Sequence, residues 1–180
     1  SQKTMRFNAS AFFIVLLSAL SFGSCKRERP ASSSDPDIAT LAYNKIQEQL
    51  LDAKPGDVIQ LPEGFFEFDR PLSLDGIPGV TIAGAGMDKT VLSFKYQKTG
   101  AEGIKITADS VTLRDFTVQD TKGDAIKLQD CKGVTLLRLK TTWSGGADEN
   151  NGGYGLYPVA CTGVLIDSCE ASFASDAGIY

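Results

Sequence analysis

Four residues share a position that could meet a ligand. Lys105, Lys127, Tyr157 and Tyr180 each follow an apolar residue: Ile104, Ile126, Leu156 and Ile179. Neighbours in a strand point to opposite sides, so these four should face outward together. A column of cations and aromatics could line a groove for an acidic polysaccharide, since flat rings suit sugar faces. Asp120, Asp124 and Asp176 lie near the turns beside that column. Paired carboxylates can serve as acid and base in glycoside hydrolysis. Asp is also a common turn residue, and turn duty explains all three. The stretch from Trp143 to Tyr154 gathers Asp148, Glu149, Asn150 and Asn151 between two aromatics. Oxygen ligands suit calcium, which makes Asp148, Glu149 and Asn150 its expected ligands. Trp143 and Tyr154 would then contact the sugar, with Lys105 and Tyr157 beside them. The spacing is not that of an EF-hand, because Val159 stands where Glu is required. Glycines at 145, 146, 152 and 153 predict a loop that is mobile when empty. A plain solvated loop accounts for the same residues.

Composition narrows the chemistry. The 180 residues carry a formal net charge of -4, which argues against nucleic acid as a partner. The sequence has 0 histidines, so an imidazole base, a His metal ligand and a Ser-His-Asp triad are excluded within it. Hydrophobic residues at 42% and charged residues at 22% describe a folding chain, not a disordered one. The run Gly84 to Thr90 lacks the Gly before Lys89 that a phosphate loop needs, so it reads as a turn.

The positioning elements follow from apolar spacing. Ile38, Leu41, Ala42, Ile46, Leu50 and Leu51 recur at helical steps, which predicts an amphipathic helix near 36–53 with one stripe on a core. Asp35-Pro36 opens it and Pro55-Gly56 ends it. Beyond Asp57 the period becomes two. Ile59, Val80, Val111, Val134 and Val164 mark one strand set, with steps of 21, 31, 23 and 30. Phe116, Leu139 and Cys169 mark a second, with steps of 23 and 30. Ile104, Ile126, Leu156 and Ile179 mark a third, with steps of 22, 30 and 23. Three sets advancing together indicate repeats, and only stacking buries the apolar side of each one. The expected fold is all-β: a parallel solenoid of about five coils over 55–180 with three sheets. Cys131 and Cys161 are 30 apart, the step from Val134 to Val164, so they should stack. A disulfide and a pair of stacked free thiols both fit. Cys169 takes a core position.

Several segments resemble right-handed parallel β-helix proteins of the pectate-lyase-like superfamily. They are Pro55-Gly56-Asp57-Val58-Ile59-Gln60-Leu61-Pro62-Glu63-Gly64, then Val80-Thr81-Ile82-Ala83-Gly84-Ala85-Gly86, and the Asp-Ala-Ile and Asp-Ala-Gly-Ile turns at 124 and 176. A helix capping the first coil is similar too. More narrowly, the chain resembles bacterial lipoproteins with parallel β-helix repeats. The resemblance covers about Asp35 to Tyr180 and speaks to fold more than chemistry. It implies a right-handed β-helix over 36–180 with an N-terminal capping α-helix. If an activity exists, the resemblance implies a polysaccharide lyase or epimerase, with Lys127 as base, Asp124 beside it and calcium on the uronate. Mannuronan epimerases of this fold use a His in their motif, and this sequence has none.

The N-terminus reads as an address. Lys3 and Arg6 precede the apolar run Ala11 to Leu20, too short for a lasting membrane span. Small residues before Cys25 resemble a bacterial lipobox, so 1–24 is expected to be a lipoprotein signal and Cys25 the lipidated residue. Residues 25–35 are polar and read as a tether. Tyr180 falls within a strand position, so more chain is expected after it. The expectation is a lipid-anchored protein of the bacterial cell envelope, periplasmic or outer-membrane, that binds or processes an acidic polysaccharide. The other reading is a non-catalytic scaffold or partner-binding solenoid.

Overall fold

The computed structural model describes residues 32–33 and 36–180. The signal expected over 1–24, Cys25, and all of the tether except Ser32 and Ser33 lie outside the described residues. Strand β1 is Ser32–Ser33, and helix α1 is Pro36–Leu51 with Asp37 in its first turn.

Five coils follow, each with three strand segments. The first holds β2 (Val58–Gln60), β3 (Gly64–Glu67) and β4 (Leu72–Asp75). The second holds β5 (Thr81–Ala83), β6 (Thr90–Ser93) and β7 (Ile104–Thr107). In the third, β8 (Thr112–Gln119) supplies the first two segments and β9 (Ile126–Gln129) the last. The fourth repeats this with β10 (Thr135–Thr142) and β11 (Tyr154–Val159). The fifth holds β12 (Leu165–Asp167), β13 (Glu170–Ala171) and β14 (Ala177–Ile179). All pairings between coils are parallel.

The solenoid thus has three faces but two hydrogen-bonded sheets. Strands β8 and β10 run unbroken from the first face into the second. Each pairs with first-face strands before its corner and second-face strands after it. The corner is made by residues with positive φ, Asp115 at 65° and Arg138 at 46°. Gly84 sits at the same corner one coil earlier. A Cβ there would run into the Asp115 carbonyl oxygen, so only glycine fits.

Stacked apolar side chains fill the interior. Ile82, Leu113 and Leu136 line the first face, and Ile104, Ile126 and Leu156 the third, all at most 1% exposed. Ile59 pairs with Ile82, not with Val80, so the first step is 23 rather than 21. A slip of two keeps every side chain on its face, which is why alternation alone does not detect it.

Helix α1 covers the free edge of the first coil. The Gln47 side chain donates to the Ser73 carbonyl at 3.1 Å and accepts from the Ser73 N–H at 2.9 Å, taking the place of a missing strand. The Tyr43 hydroxyl donates to the Pro71 carbonyl at 2.8 Å. The buried stripe is narrower than the apolar pattern. Ala39, Ile46 and Leu50 are buried, while Ile38, Leu41 and Leu51 are exposed. A helix lying across the end of a solenoid touches it along one line, and those three residues fall to either side of that line.

Candidate functional site

The third face, made by β4, β7, β9, β11 and β14, carries two outward columns. Ser73 pairs with Lys105, Lys105 with Lys127, and Lys127 with Tyr157. Leu156 pairs with Ile179, which puts Tyr180 next in the column after Tyr157. This is the column expected from the repeat. The second column lies three residues upstream and holds Glu102, Asp124 and Tyr154.

Side chains of the two columns meet at Lys127. Its Nζ is 3.8 Å from Glu102 Oε1 and 3.8 Å from Asp124 Oδ2. It also lies 5.6 Å from the centre of the Tyr157 ring, within reach of a cation–π contact. Asp124 is the most enclosed of these charges, with its side chain 16% exposed. Burial pushes the Asp124 carboxyl above its ordinary range. The Lys127 ammonium pulls the other way, Glu102 adds to the rise, and the Tyr154 N–H donates and lowers it.

Three tyrosines extend the face. The rings of Tyr154 and Tyr157 are 4.4 Å apart, and Tyr180 lies 5.0 Å from Tyr154 and 5.8 Å from Tyr157. A hydrogen bond with Asp176, then burial and the charge of Asp176, push the Tyr154 phenol up to about 12. Asp176 thus acts on the Tyr154 phenol. The arrangement offers flat apolar rings beside a cation and two carboxylates, the chemistry that matches a sugar's C–H face and its hydroxyls.

The Trp143–Tyr154 insertion has a different character. Trp143 is 4% exposed and packs in the core. Its Nε1–H donates to the Thr121 carbonyl of the coil before, at 2.8 Å. The expectation of a sugar-contacting Trp143 is corrected here: the ring is an anchor, with no open face. Gly152 passes so close to the Gly123 carbonyl and the Trp143 ring that a Cβ would strike both. Asp120 accepts from the Ser144 N–H at 2.6 Å and from its hydroxyl at 2.9 Å. Asn151 Nδ2 donates to the carbonyls of Gly146 and Phe173, at 2.8 and 2.7 Å. The loop is thus tied to its own coil and to neighbouring coils at Trp143, Ser144 and Asn151.

Asp148, Glu149 and Asn150 are exposed at its tip. Asp148 Oδ1 accepts from both the N–H and the Nδ2 of Asn150, at 2.8 and 2.9 Å, which holds its carboxyl below the usual range. Among the described residues, no three His, Cys, Asp or Glu side chains gather to hold a metal.

Glu102, which pairs with Lys127, joins the candidate site without having been expected there. Its signal was present: Glu102 precedes Lys105 by three, as Asp124 precedes Lys127 and Tyr154 precedes Tyr157.

No protein-family model matches the chain, and no curated protein does. Among solved structures it is similar to a pectin methylesterase mutant in complex with a hexasaccharide, at 14% identity and TM-score 0.46, over 71% of this chain and 50% of that one. It is also similar to the pectin methylesterase PemA from Erwinia chrysanthemi, at 14% identity and TM-score 0.40, over 78% and 54%. The chain spans about half the length of these structures.

Proposed function

We propose that the protein binds a polysaccharide on its third face. The observation that carries this reading is the Tyr154–Tyr157 ring pair, 4.4 Å apart, set beside Lys127 and its two carboxylates. The rings take the C–H faces of sugar units. Lys127, Glu102 and Asp124 exchange hydrogen bonds with hydroxyls. Two carboxylates offset the charge of Lys127, so ring stacking outweighs attraction for uronates at this point. Lys105 supplies further positive charge, and calcium at Asp148 and Glu149 is the route by which an acidic glycan would gain affinity. If the glycan is processed as well as bound, Asp124 and Lys127 are the groups in place to move a proton. In the same reading the chain is exported and Cys25 holds it to the bacterial cell envelope.

Calorimetric titration separates this reading from the scaffold. Neutral and uronate oligosaccharides are titrated into the protein with and without calcium, and into Tyr157→Ala. Loss of one stacking ring should weaken binding about tenfold. Equal affinity in the variant, or no heat from any glycan, removes the third face as a sugar site and leaves the non-catalytic scaffold. Heat from uronates only with calcium present would assign the acidic class.

A further inference from the structure

We propose that Cys131 and Cys161 form a redox cross-link site, where a disulfide staples the third coil to the fourth. The two cysteines follow β9 and β11. Lys132 and Thr162 form a parallel bridge, and the Thr162 N–H donates to the Cys131 carbonyl at 2.9 Å. Cys131 and Cys161 are therefore register neighbours on adjacent coils. Adjacent strands lie about 4.8 Å apart, within the roughly 4.4–6.8 Å between Cα atoms that a disulfide spans. One sulfur already leans across the gap: Cys161 Sγ accepts from the Cys131 N–H at 3.4 Å. It can keep that bond after oxidation.

The two thiols differ in access. Cys131 is 1% exposed, and its S–H lies 3.2 Å from the Gln129 carbonyl. Burial pushes the Cys131 thiol up, which makes it the poorer first nucleophile. Cys161 is half-buried and is the attacking group. Its thiolate attacks one sulfur of an exchangeable disulfide such as oxidised glutathione, forming a mixed disulfide and releasing one thiol. The Cys131 thiolate then attacks Cys161 Sγ and expels the second thiol. The pair loses two protons and two electrons, which convert the oxidant's disulfide into two thiols. Cys169 is the built-in control. Lys140 pairs with Glu170, so the neighbour of Cys169 is Leu139, which has no sulfur to offer.

The bond would close a loop of one full coil, with Trp143 and Tyr154 inside it. Such closure restricts the unfolded chain more than the folded one. The test uses the full chain, treated with oxidised glutathione, then unfolded, alkylated, digested and mapped by mass spectrometry. A linked pair of peptides carrying Cys131 and Cys161 is expected, with Cys169 alkylated. The unfolding midpoint should rise by roughly 5–10 °C over dithiothreitol-reduced protein. Cys161→Ser should abolish that shift and Cys169→Ser should keep it. The oxidised and reduced wild type can be compared even if a variant fails to fold. Full alkylation of all cysteines after oxidation overturns the proposal. So does a bond only to Cys25, Cys169 or glutathione, or a 131–161 bond that leaves the midpoint unchanged.

Discussion

The Trp143–Tyr154 insertion and the third-face columns share Tyr154, and they otherwise use their side chains in opposite ways. The insertion turns inward. Its one large ring is buried, its Asn151 amide is shared between two carbonyls, and Asp120 holds its first turn. The columns turn outward. The Tyr154 and Tyr157 rings meet within β11, and across coils Lys127 reaches the Tyr157 ring while Tyr180 lies against both tyrosines. Loop length therefore does not by itself mark which side chains of this solenoid are open to a ligand. An insertion between rigid coils must satisfy its own backbone, and here Asp148 accepts from the Asn150 N–H while Asn151 donates to the Gly146 and Phe173 carbonyls. Outward positions on a strand carry no such duty, and a ladder of them can be specialised without disturbing the core.

If that contrast holds, substitutions in the insertion should cost stability and those in the columns should cost binding. Trp143→Ala is expected to have the largest effect, a loss of about 3–5 kcal/mol in urea unfolding. Affinity of the remaining folded protein for a glycan should stay near that of wild type. A stable Trp143→Ala protein that no longer binds would reverse the assignment and return the indole to the site. Asp120→Ala comes next, at about 1 kcal/mol, because the Ser144 N–H and hydroxyl exchange a charged acceptor for water. Asp120 also has φ of 59°, which Asn tolerates far better than Ala, so Asp120→Asn should recover much of the loss.

Much of this contrast was legible in the residues. The third-face register followed from steps of 22, 30 and 23, because alternation fixes which side is inward and the turns fix the length of a coil. Trp143 was misplaced by reading its type rather than its parity. Leu139 and Thr141 of β10 and Trp143 just after it continue one inward series, and all three are buried. The overly wide helix stripe has a similar origin, since apolar spacing marks what a helix can bury, while the shape of the surface below decides what it does bury. Glu102 was hidden for a different reason. The attraction between Lys127 and Glu102 depends on side chains from neighbouring coils meeting in space, and only the shared three-residue offset hints at it.

The column side of the comparison predicts smaller effects on stability. Tyr157→Ala should weaken glycan binding about tenfold while costing about 1 kcal/mol in unfolding, since the residue is only partly buried. A large loss of stability would mean that the tyrosines serve as packing, and the two regions would no longer differ in kind.

The finest test concerns Asp124. Its carboxyl is raised in the folded protein, chiefly by burial, so the fold binds its proton more tightly than the unfolded chain does. The stabilising contribution of that proton is complete below the unfolded carboxylate range. It is lost as pH rises through the folded value. Asp115 and Asp69 titrate in the opposite sense. Ion-paired hydrogen bonds with Arg138 and Arg70 lower their carboxyls, and their contribution is lost as pH falls through the folded values. The whole-protein curve mixes both signs, so the informative quantity is the difference between Asp124→Asn and wild type. Asn cannot titrate, and it keeps the shape of the side chain beside Lys127. Going from pH 4 to pH 7, wild type should therefore lose stability relative to Asp124→Asn. A difference that is flat with pH would place Asp124 in open solvent, and a difference of the opposite sign would mean that its pairing with Lys127 outweighs its burial. Either result would take from Asp124 its suitability for holding a proton, leaving the columns as a binding surface.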